Sequence, residues 1–216
     1  MIVAIISDIH GNLPALEQCL RRTRPLADRY VCLGDVVNYG PWNDECLDLV
    51  LSLPGIVLLE GNHERLFRGD EEIAHEIPLV QAFTRHAMQW FSRWDAIAAL
   101  PTEWTLGAYT CVHTIERRNI YSSTEIKVDR DFILGHSHEQ FHATRGGRLI
   151  VNPGSVGQNR RCIDVVSYAL FDTETDRFTL CEEAYPLDLF LAELRARRYP
   201  QECIDYYAKK PRMSGA

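Results

Sequence analysis

Short runs of apolar, often β-branched residues recur along the chain, and polar or glycine-containing sequence separates most of them. Runs of this length and composition predict β-strands. In the first half, the predicted strands cover residues 2–6, 30–33 and 56–59. In the second half, they cover residues 104–106, 108–112, 132–134, 149–151, 165–171 and 177–181.

The connections between the first-half strands carry apolar residues at helical spacing. Asn12 and Asn43 are each placed to cap a helix, since an asparagine side chain can accept a hydrogen bond from an amide of the first turn. Residues 81–100 predict one long helix that ends before Pro101, and residues 187–198 predict a C-terminal helix. An α/β first half followed by a strand-rich second half predicts two packed sheets with helices outside.

The composition is that of an ordinary globular protein. Of 216 residues, 46% are hydrophobic and 25% are charged, and no low-complexity tract favours disorder. We interpret residues 1–216 as a single domain whose end, residues 209–216, is a frayed tail because it carries little apolar content. The seven cysteines include no C-x-x-C pair, which is typical of reduced core thiols rather than of a disulfide framework or a thiolate zinc site.

The net negative charge of the protein disfavours some classes of binding partner. A net charge of −7 makes bulk nucleic acid an unfavourable partner, because its phosphate backbone is bound by clustered Lys and Arg. The opening sequence MIVAIISDIH lacks a basic leader with a long apolar segment, and no apolar stretch reaches membrane-spanning length. We therefore expect a cytoplasmic protein without a membrane partner, and homo-oligomer formation stays open.

Side chains of the types that bind metal ions follow five of the predicted strands. They are Asp8 and His10, Asp35, Asn62 and His63, His113, and His136 and His138. Side chains at the carboxyl ends of strands in α/β proteins converge on one crevice. Residues that are far apart in the sequence are therefore predicted to form one site.

The spacing and chemistry of these residues suit a pair of metal ions. Asp8 and His10 are two residues apart, so in extended backbone their side chains would point the same way and hold one ion together. A carboxylate such as that of Asp35 can bridge two cations roughly 3.5 to 4 Å apart, the spacing used in two-metal hydrolysis. Imidazole and carboxylate ligands suit Mn, Fe, Zn, Ni or Co. Packing alone does not explain so many polar strand ends, because buried polar groups without partners are costly.

In this order, the motifs SDIH, GDVVNYG, GNHE, the His113 segment and GHSH resemble the metal motifs of calcineurin-like metallophosphoesterases. The NPGS segment that follows resembles one common among small bacterial members of that family. The resemblance implies an α/β fold, a four-layer α/β/β/α sandwich of two mixed β-sheets flanked by helices, with a dinuclear metal centre. It implies that one metal is held by Asp8, His10, Asp35 and His138, and the other by Asp35, Asn62, His113 and His136.

The resemblance also implies a metal-dependent phosphoesterase in which a hydroxide that bridges the metals attacks the phosphate. The expected cofactors are two divalent or trivalent ions, with Mn favoured and Fe, Zn, Ni, Co or Mg as alternatives. His63 is not a ligand in this scheme but the candidate acid that protonates the leaving oxygen. Glu64 is expected to lie behind the ligands, where it or Asp8 can orient His63. The expected substrate is a phosphate ester or nucleotide-like small molecule.

The chain departs at two positions from the family pattern that it resembles. Thr114 follows His113, where many relatives have Gly. Tyr39 occupies the position at which phosphoprotein phosphatases of this superfamily place a phosphate-gripping Arg, which disfavours a serine/threonine phosphatase. Paired loop arginines are candidates for a substitute clamp, with solvated surface roles as the alternative. These are Arg117, Arg118, Arg160 and Arg161.

A phosphodiesterase is the favoured function, and three alternatives remain. Hydrolysis of dinucleoside polyphosphates such as diadenosine tetraphosphate, and hydrolysis of phosphomonoesters, would use the same metal pair. A non-catalytic metal-binding scaffold would be expected to lack catalytic residues. Aromatic side chains could wall a site for adenine, although packing in the core is their commoner role. The candidates for that wall are Trp90, Phe91, Trp94 and Trp104.

Overall fold

Two mixed five-stranded β-sheets form the centre of the protein in a computed structural model that describes residues 1–213. The strands are β1 (Ile2–Ile6), β2 (Arg29–Cys32), β3 (Val57–Leu58), β4 (Glu103–Leu106), β5 (Tyr109–Val112), β6 (Asp131–Leu134), β7 (Gln140–Arg145), β8 (Arg148–Pro153), β9 (Val165–Asp172) and β10 (Arg177–Ala184). Their orders are β10-β9-β1-β2-β3 and β4-β5-β6-β8-β7. Each predicted strand is present, and β7 is an addition that the sequence pattern did not predict.

Helices flank the sheets, so the predicted α/β sandwich is confirmed. The α-helices within residues 1–213 are α1 (Leu13–Thr23), α2 (Asn43–Leu51), α3 (Asn62–Arg68), α4 (Pro78–Ala87), α5 (Trp94–Ile97), α6 (Leu187–Ala196) and α7 (Gln201–Ala208). No helix in this part of the chain has the length and apolar character that crossing a membrane requires.

The central strand β1 is buried on both of its faces. Val3 and Ile5 point toward the second sheet and join the core between the sheets. Ala4 and Ile6 point the other way and join the core under the helices. Because side chains alternate along a strand, a strand with two buried faces is apolar throughout. The outer face of the second sheet is covered by the irregular chain between β5 and β6, whose Ile120 packs into a small third core.

The predicted long helix over residues 81–100 is wrong, because the chain breaks it after α4. A short 3₁₀ turn follows, and Phe91 is then extended, so that its ring packs edge-on against Phe67. The backbone amide of Ser92 donates to the carboxylate of Asp44 at 3.0 Å. Burial of the Phe91 ring and this distant hydrogen bond outweigh the helical preference of the segment.

One of the two predicted helix caps is present. The Asn12 side chain accepts a hydrogen bond from the Ala15 amide at 3.3 Å and caps α1. Asn43 instead is the first residue of α2, and its side-chain amide donates to the Gly40 carbonyl at 2.9 Å. Asn43 therefore fixes the preceding loop rather than the helix end.

The C-terminal region differs from the prediction in two ways. The predicted helix over 187–198 ends at Ala196, and a further helix, α7, begins after Pro200. Residues 209–213, which we expected to be frayed, make contacts with the chain just before β9. The Pro211 carbonyl accepts a hydrogen bond from the Ile163 amide at 2.9 Å, and the Met213 amide donates to Asp164 at 2.7 Å. Residues 214–216 of the predicted tail lie outside the described residues.

Candidate active site

The seven residues predicted as metal ligands lie together where β1, β2, β3, β5 and β6 end. They are Asp8, His10, Asp35, Asn62, His113, His136 and His138. Five of them are buried, and Asn62 and His136 are partly exposed at the floor of a cleft. The carboxyl ends of the strands therefore converge as the sequence pattern indicated.

Asp8, His10 and His138 form the first ligand cluster. The Nε2 atoms of His10 and His138 are 3.1 Å apart, and Oδ1 of Asp8 is 3.2 Å from Nε2 of His138. The Nδ1 atom of His10 faces the Val37 carbonyl at 3.3 Å, and that of His138 faces the Gln158 carbonyl at 3.0 Å. A carbonyl can only accept, so each Nδ1 carries the hydrogen and each Nε2 presents a lone pair.

Three lone-pair atoms thus face one another in this cluster without a donor between them. Oδ1 of Asp8 is also one of three buried side-chain atoms within residues 1–213 that have no hydrogen-bond partner. An unpartnered buried carboxylate oxygen beside two imidazole lone pairs is costly unless a cation lies among them. The donor set therefore fits a metal ion.

Asp35, Asn62, His113 and His136 form the second cluster. Nε2 of His113 is 3.0 Å from Oδ1 of Asn62, 3.2 Å from Nδ1 of His136 and 3.2 Å from Oδ2 of Asp35. The Nδ1 atom of His113 faces the Leu33 carbonyl at 2.9 Å, so Nε2 is its lone-pair nitrogen in the neutral tautomer. These groups therefore also form a donor set that fits a metal ion.

Asp35 lies between the two clusters. One of its oxygens is within 4.8 Å of ligand atoms of His113 and His136, and one is within 4.8 Å of ligand atoms of His10 and His63. Its Oδ1 accepts a hydrogen bond from the His63 backbone amide at 2.9 Å, which leaves Oδ2 toward His113. Asp35 is consequently the residue that both clusters can share.

The backbone turns sharply at most of these residues. Five of the seven have positive φ angles between 53° and 66°, a left-handed backbone conformation that residues other than glycine seldom adopt. They are Asp8, His10, Asp35, His136 and His138. Our interpretation of Asp8 and His10 as extended is therefore wrong, since the turned backbone brings their side chains together. The His10 amide holds this turn by donating to the Asp35 carbonyl at 3.0 Å.

Two motif glycines allow the carboxylates to approach the backbone. A Cβ atom at Gly61 would collide with Oδ1 of Asp35, and one at Gly135 would collide with Oδ2 of Asp8. The closeness lets the His136 amide donate to Oδ2 of Asp8 at 3.0 Å. One oxygen of each aspartate is thereby held by a backbone amide, and the other points into its ligand cluster.

Electrostatics keep Asp35 ionised and His136 neutral, which are the forms that can bind a cation. Burial by itself raises the pKa of Asp35, but the adjacent His113, together with His63 and His10, more than offsets this and holds that pKa well below its usual value. Burial would lower the pKa of His113, yet the same pairing raises it to about 9. Burial, helped by His113, lowers the pKa of His136 to about 4. A cation bound beside Asp35 would displace the proton from His113.

Glu64 binds the backbone of two motifs at once. Its Oε2 accepts from the amides of Asp35 and Gly61, both at 2.8 Å, and its Oε1 accepts from the amides of Val36 and Val37 at 2.8 and 3.3 Å. The side chain therefore fixes the loop that carries Asp35 to the start of α3. Glu64 lies behind the two clusters, and it makes no hydrogen bond to His63.

Replacing Glu64 with Ala should lower the free energy of unfolding by about 3 kcal/mol or more, because it leaves four buried amides without acceptors. Glu64→Gln should also destabilise, since its amide nitrogen would face two N–H donors. Urea denaturation measures both effects. Glu17→Ala, at an exposed position of α1, serves as the control. Equal stability of the Glu64 and Glu17 variants would contradict this assignment.

Asn38, which the sequence analysis did not single out, orients His63. The Asn38 Oδ1 atom accepts from the Tyr39 amide at 2.7 Å, so its side-chain nitrogen points away from that amide. This nitrogen donates to Nδ1 of His63 and to Oγ1 of Thr84, both at 2.8 Å. Nδ1 of His63 is therefore an acceptor, and the proton of the neutral ring is on Nε2, which lies 3.9 Å from Oδ2 of Asp35.

A cavity of about 290 Å³ opens above the two clusters. Its walls include Tyr39, Ile77, Leu79 and Tyr206. The aromatic candidates from the sequence lie elsewhere: Phe91 and Trp94 pack against each other and against Phe67, and Trp104 lines a separate cavity at the sheet edge. Trp90 is exposed and does not line this cleft. The missed helix α7 supplies Tyr206, and the GDVVNYG motif supplies Tyr39.

Comparison with known proteins agrees with this geometry. The family model for calcineurin-like phosphoesterases matches residues 1–169. The chain belongs to the calcineurin-like phosphoesterase family. It is therefore a metal-dependent hydrolase that acts on phosphoric ester bonds, and its small-molecule substrate is a phosphate ester. The family uses divalent metal ions, which the two histidine and aspartate clusters fit.

Known proteins align with nearly the whole length of this metallophosphoesterase chain. The uncharacterized protein MJ0912 of Methanocaldococcus jannaschii is 26% identical over 245 aligned positions, covering 93% of this chain and 94% of that protein. The crystal structure of a metallophosphoesterase from Sphaerobacter thermophilus has a TM-score of 0.79 at 25% identity and covers 96% of this chain and 98% of its own. A hypothetical protein of Pyrococcus horikoshii OT3 shares the fold, with a TM-score of 0.80 at 16% identity and coverage of 95% and 97%.

Proposed function

We propose that this metallophosphoesterase is a phosphodiesterase with a dinuclear centre. One ion would be held by Asp8, His10, Asp35 and His138, and the other by Asp35, Asn62, His113 and His136. The observation that supports two ions rather than one is the position of Asp35 between two separate sets of lone pairs. When bound, the ions supply positive charge for the phosphate and activate water for attack on phosphorus. Imidazole, carboxylate and amide ligands suit Mn, Fe, Zn, Ni or Co, and Mn is the ion that we propose.

His63 is the proposed general acid. Its ring lines the cleft beside Asp35, and Asn38 holds the neutral ring with its proton on Nε2. Burial lowers the pKa of His63, and the nearby Asp35 opposes that shift only in part. A neutral imidazole that carries its proton on Nε2 can donate a hydrogen bond to the leaving oxygen, and it transfers a proton to that oxygen only from the doubly protonated ring. The same tautomer leaves no lone pair on Nε2, which argues against His63 as a third imidazole ligand of either ion.

The wild-type protein should hydrolyse bis-p-nitrophenyl phosphate when it is loaded with Mn, and less efficiently p-nitrophenyl phosphate. Treatment with a chelator should abolish both activities because the ligand clusters would then lack their cations. Adding Mn back should restore them. Release of p-nitrophenol, measured together with metal content, checks this prediction.

Full metal loading without activity on either ester would overturn the phosphodiesterase proposal and favour the non-catalytic scaffold. Activity on the monoester alone would favour a phosphomonoesterase. A substrate panel that contains diadenosine tetraphosphate tests the polyphosphate alternative through the identity of its products.

A further inference from the structure

Two cavities share the lining residues His138 and Arg160. The first is the cleft above the ligand clusters, which contains His63. The second has a volume of about 370 Å³. It is lined by His138, Glu139, Gln140, Asn159, Arg160, Arg161 and Glu182. Because His138 and Arg160 line both, a molecule that contacts Arg160 at the metal centre lies next to each of the two cavities.

Arg160 is anchored next to the proposed ligands. Its Nε atom donates to the carbonyl of Ser137 at 2.9 Å, and Ser137 lies between His136 and His138 in the chain. Within residues 1–213, the two terminal nitrogens of Arg160 have no hydrogen-bond or ion-pair partner. A guanidinium that is tethered through Nε offers two parallel donors, which match two oxygens of a phosphate.

The other arginines that the sequence singled out are already paired. Arg161 forms an ion pair with Glu182, Arg117 with Glu71 at 3.6 Å, and Arg118 with Glu116 at 3.7 Å. None of these three lines the cleft that contains His63. Arg160 is therefore the arginine that is placed to take the role that Tyr39 cannot fill. Tyr39 instead packs its ring 4.8 Å from that of His10 and 5.0 Å from that of His63.

The first cavity suits a neutral leaving group with an apolar face. His63, the proposed acid, lines it, so the leaving oxygen belongs on this side. Tyr206 forms a fixed wall, since its hydroxyl donates to Oε1 of Gln158 at 3.1 Å and accepts from Lys210 at 2.7 Å. The Tyr206 ring lies 6.4 Å from that of Tyr39 with only 26° between their planes. Rings held in this way favour a flat apolar partner.

The charges in the first cavity disfavour a polyphosphate leaving group. Glu76 lines it and forms no ion pair within the described part of the chain. Arg160 is the one Lys or Arg among its lining residues. A second phosphate on the leaving group would add negative charge in the cavity that Glu76 lines, and like charges repel, while the Lys210 ammonium is held by the Tyr206 hydroxyl at 2.7 Å. This favours a simple diester over a dinucleoside polyphosphate.

We propose that the substrates are phosphodiesters with a substituent on each side of the phosphorus, bound across Arg160. The guanidinium of Arg160 grips the non-bridging oxygens. The leaving substituent occupies the cavity with His63, Ile77 and Tyr206, and the substituent that stays on the phosphate occupies the polar cavity beside Arg161. This inference rests on the proposed phosphodiesterase function and adds the way in which the diester is held.

Arg160→Ala should raise KM for bis-p-nitrophenyl phosphate by about 10- to 100-fold, the loss expected for charge-assisted hydrogen bonds to a phosphate. Metal content should not change, because Arg160 is not a ligand. Arg160→Lys should give an intermediate KM, since an ammonium keeps the charge but not the fork. The control is Arg130→Ala, which removes an exposed arginine paired with Asp129 and outside both cavities.

Arg161→Trp tests the second cavity by filling it. This variant should lower kcat/KM for bis-p-nitrophenyl phosphate at least about 10-fold more than for methyl p-nitrophenyl phosphate, whose retained methyl group needs little space. Equal losses on both substrates would overturn the placement of the retained substituent in this cavity.

The outcomes separate this inference from the function on which it rests. If the metal-loaded wild type hydrolyses diesters and the KM of Arg160→Ala equals that of Arg130→Ala, the clamp is wrong and the function stands. If the wild type is inactive, the proposed function fails. Calorimetric titration with inorganic phosphate still tests the clamp, because Arg160→Ala should bind phosphate at least about 10-fold more weakly than the wild type. Equal phosphate affinity would refute it.

Discussion

Asp35→Asn is expected to remove nearly all diesterase activity, at least about 10³-fold in kcat/KM, together with one or both metal ions. The His63 amide donates to Oδ1 of Asp35, so the oxygen of the new asparagine would take that position. Its NH₂ group would then point into the ligand cluster toward Nε2 of His113, where a cation is proposed. The ions contribute several kcal/mol of charge stabilisation, and each 1.36 kcal/mol corresponds to a tenfold change in rate.

Metal analysis and steady-state kinetics on bis-p-nitrophenyl phosphate measure these two effects on the same sample. The matched control is Asp48→Asn, which makes the same chemical change in an exposed ion pair with Arg93. We expect it to retain the metal content and the rate of the wild type, since surface ion pairs contribute little. An Asp35→Asn protein that keeps both ions would show that Asp35 is not shared by the clusters.

His63→Ala is expected to lower kcat by about 10²- to 10⁴-fold on a diester with an alcohol leaving group, the usual contribution of a general acid. A dithymidine monophosphate is a suitable substrate, because an alkoxide leaves poorly unless it is protonated. The loss should be smaller on bis-p-nitrophenyl phosphate, since p-nitrophenolate leaves readily without a proton. Metal content should stay at the wild-type level.

The matched control for this prediction is His75→Ala, because His75 is exposed and lies outside both ligand clusters. A loss of metal from His63→Ala would instead make His63 a ligand, which its distance to the ligand atoms of His10 and Asp35 permits. Equal losses on the alcohol and nitrophenol substrates would reject the acid role and leave His63 as a packing residue.

The roles of Asn38 and Arg160 could not be predicted from local sequence patterns. Asn38 lies inside the GDVVNYG motif, yet its part in setting the tautomer of His63 depends on Thr84, 46 residues away in α4. Arg160 was one of four arginine candidates. The structure distinguishes it because the Ser137 carbonyl holds its Nε atom while its terminal nitrogens have no partner within residues 1–213. The other three arginines form ion pairs. In both cases the deciding partner is distant in the chain. A single sequence contains no signal for such pairs.

Contacts between segments that are distant in the chain also decide which aromatic residues line the cleft. The tryptophans near residue 90 were reasonable candidates by composition, but burial of Phe91 against Phe67 turns that segment away from the site. Tyr206 reaches the cleft because α7 packs beside α4, and its short apolar pattern after Pro200 was not recognised as a helix. Pro200 just before the helix and the apolar residues Cys203, Ile204 and Tyr207 at helical spacing were sequence signals that could have identified it.

The sequence alone determined the strand pattern, the seven ligand candidates and the family motifs, because strand period, strand-end polarity and motif order are local properties of the chain. The tertiary structure decided which lone pairs face each other, that Asp35 lies between the clusters, and that Glu64 holds the backbone rather than His63. It also decided that five of the seven ligand candidates lie in left-handed backbone instead of extended strand ends. Those features depend on hydrogen bonds between loops that meet only when the two sheets pack, so no local pattern can encode them.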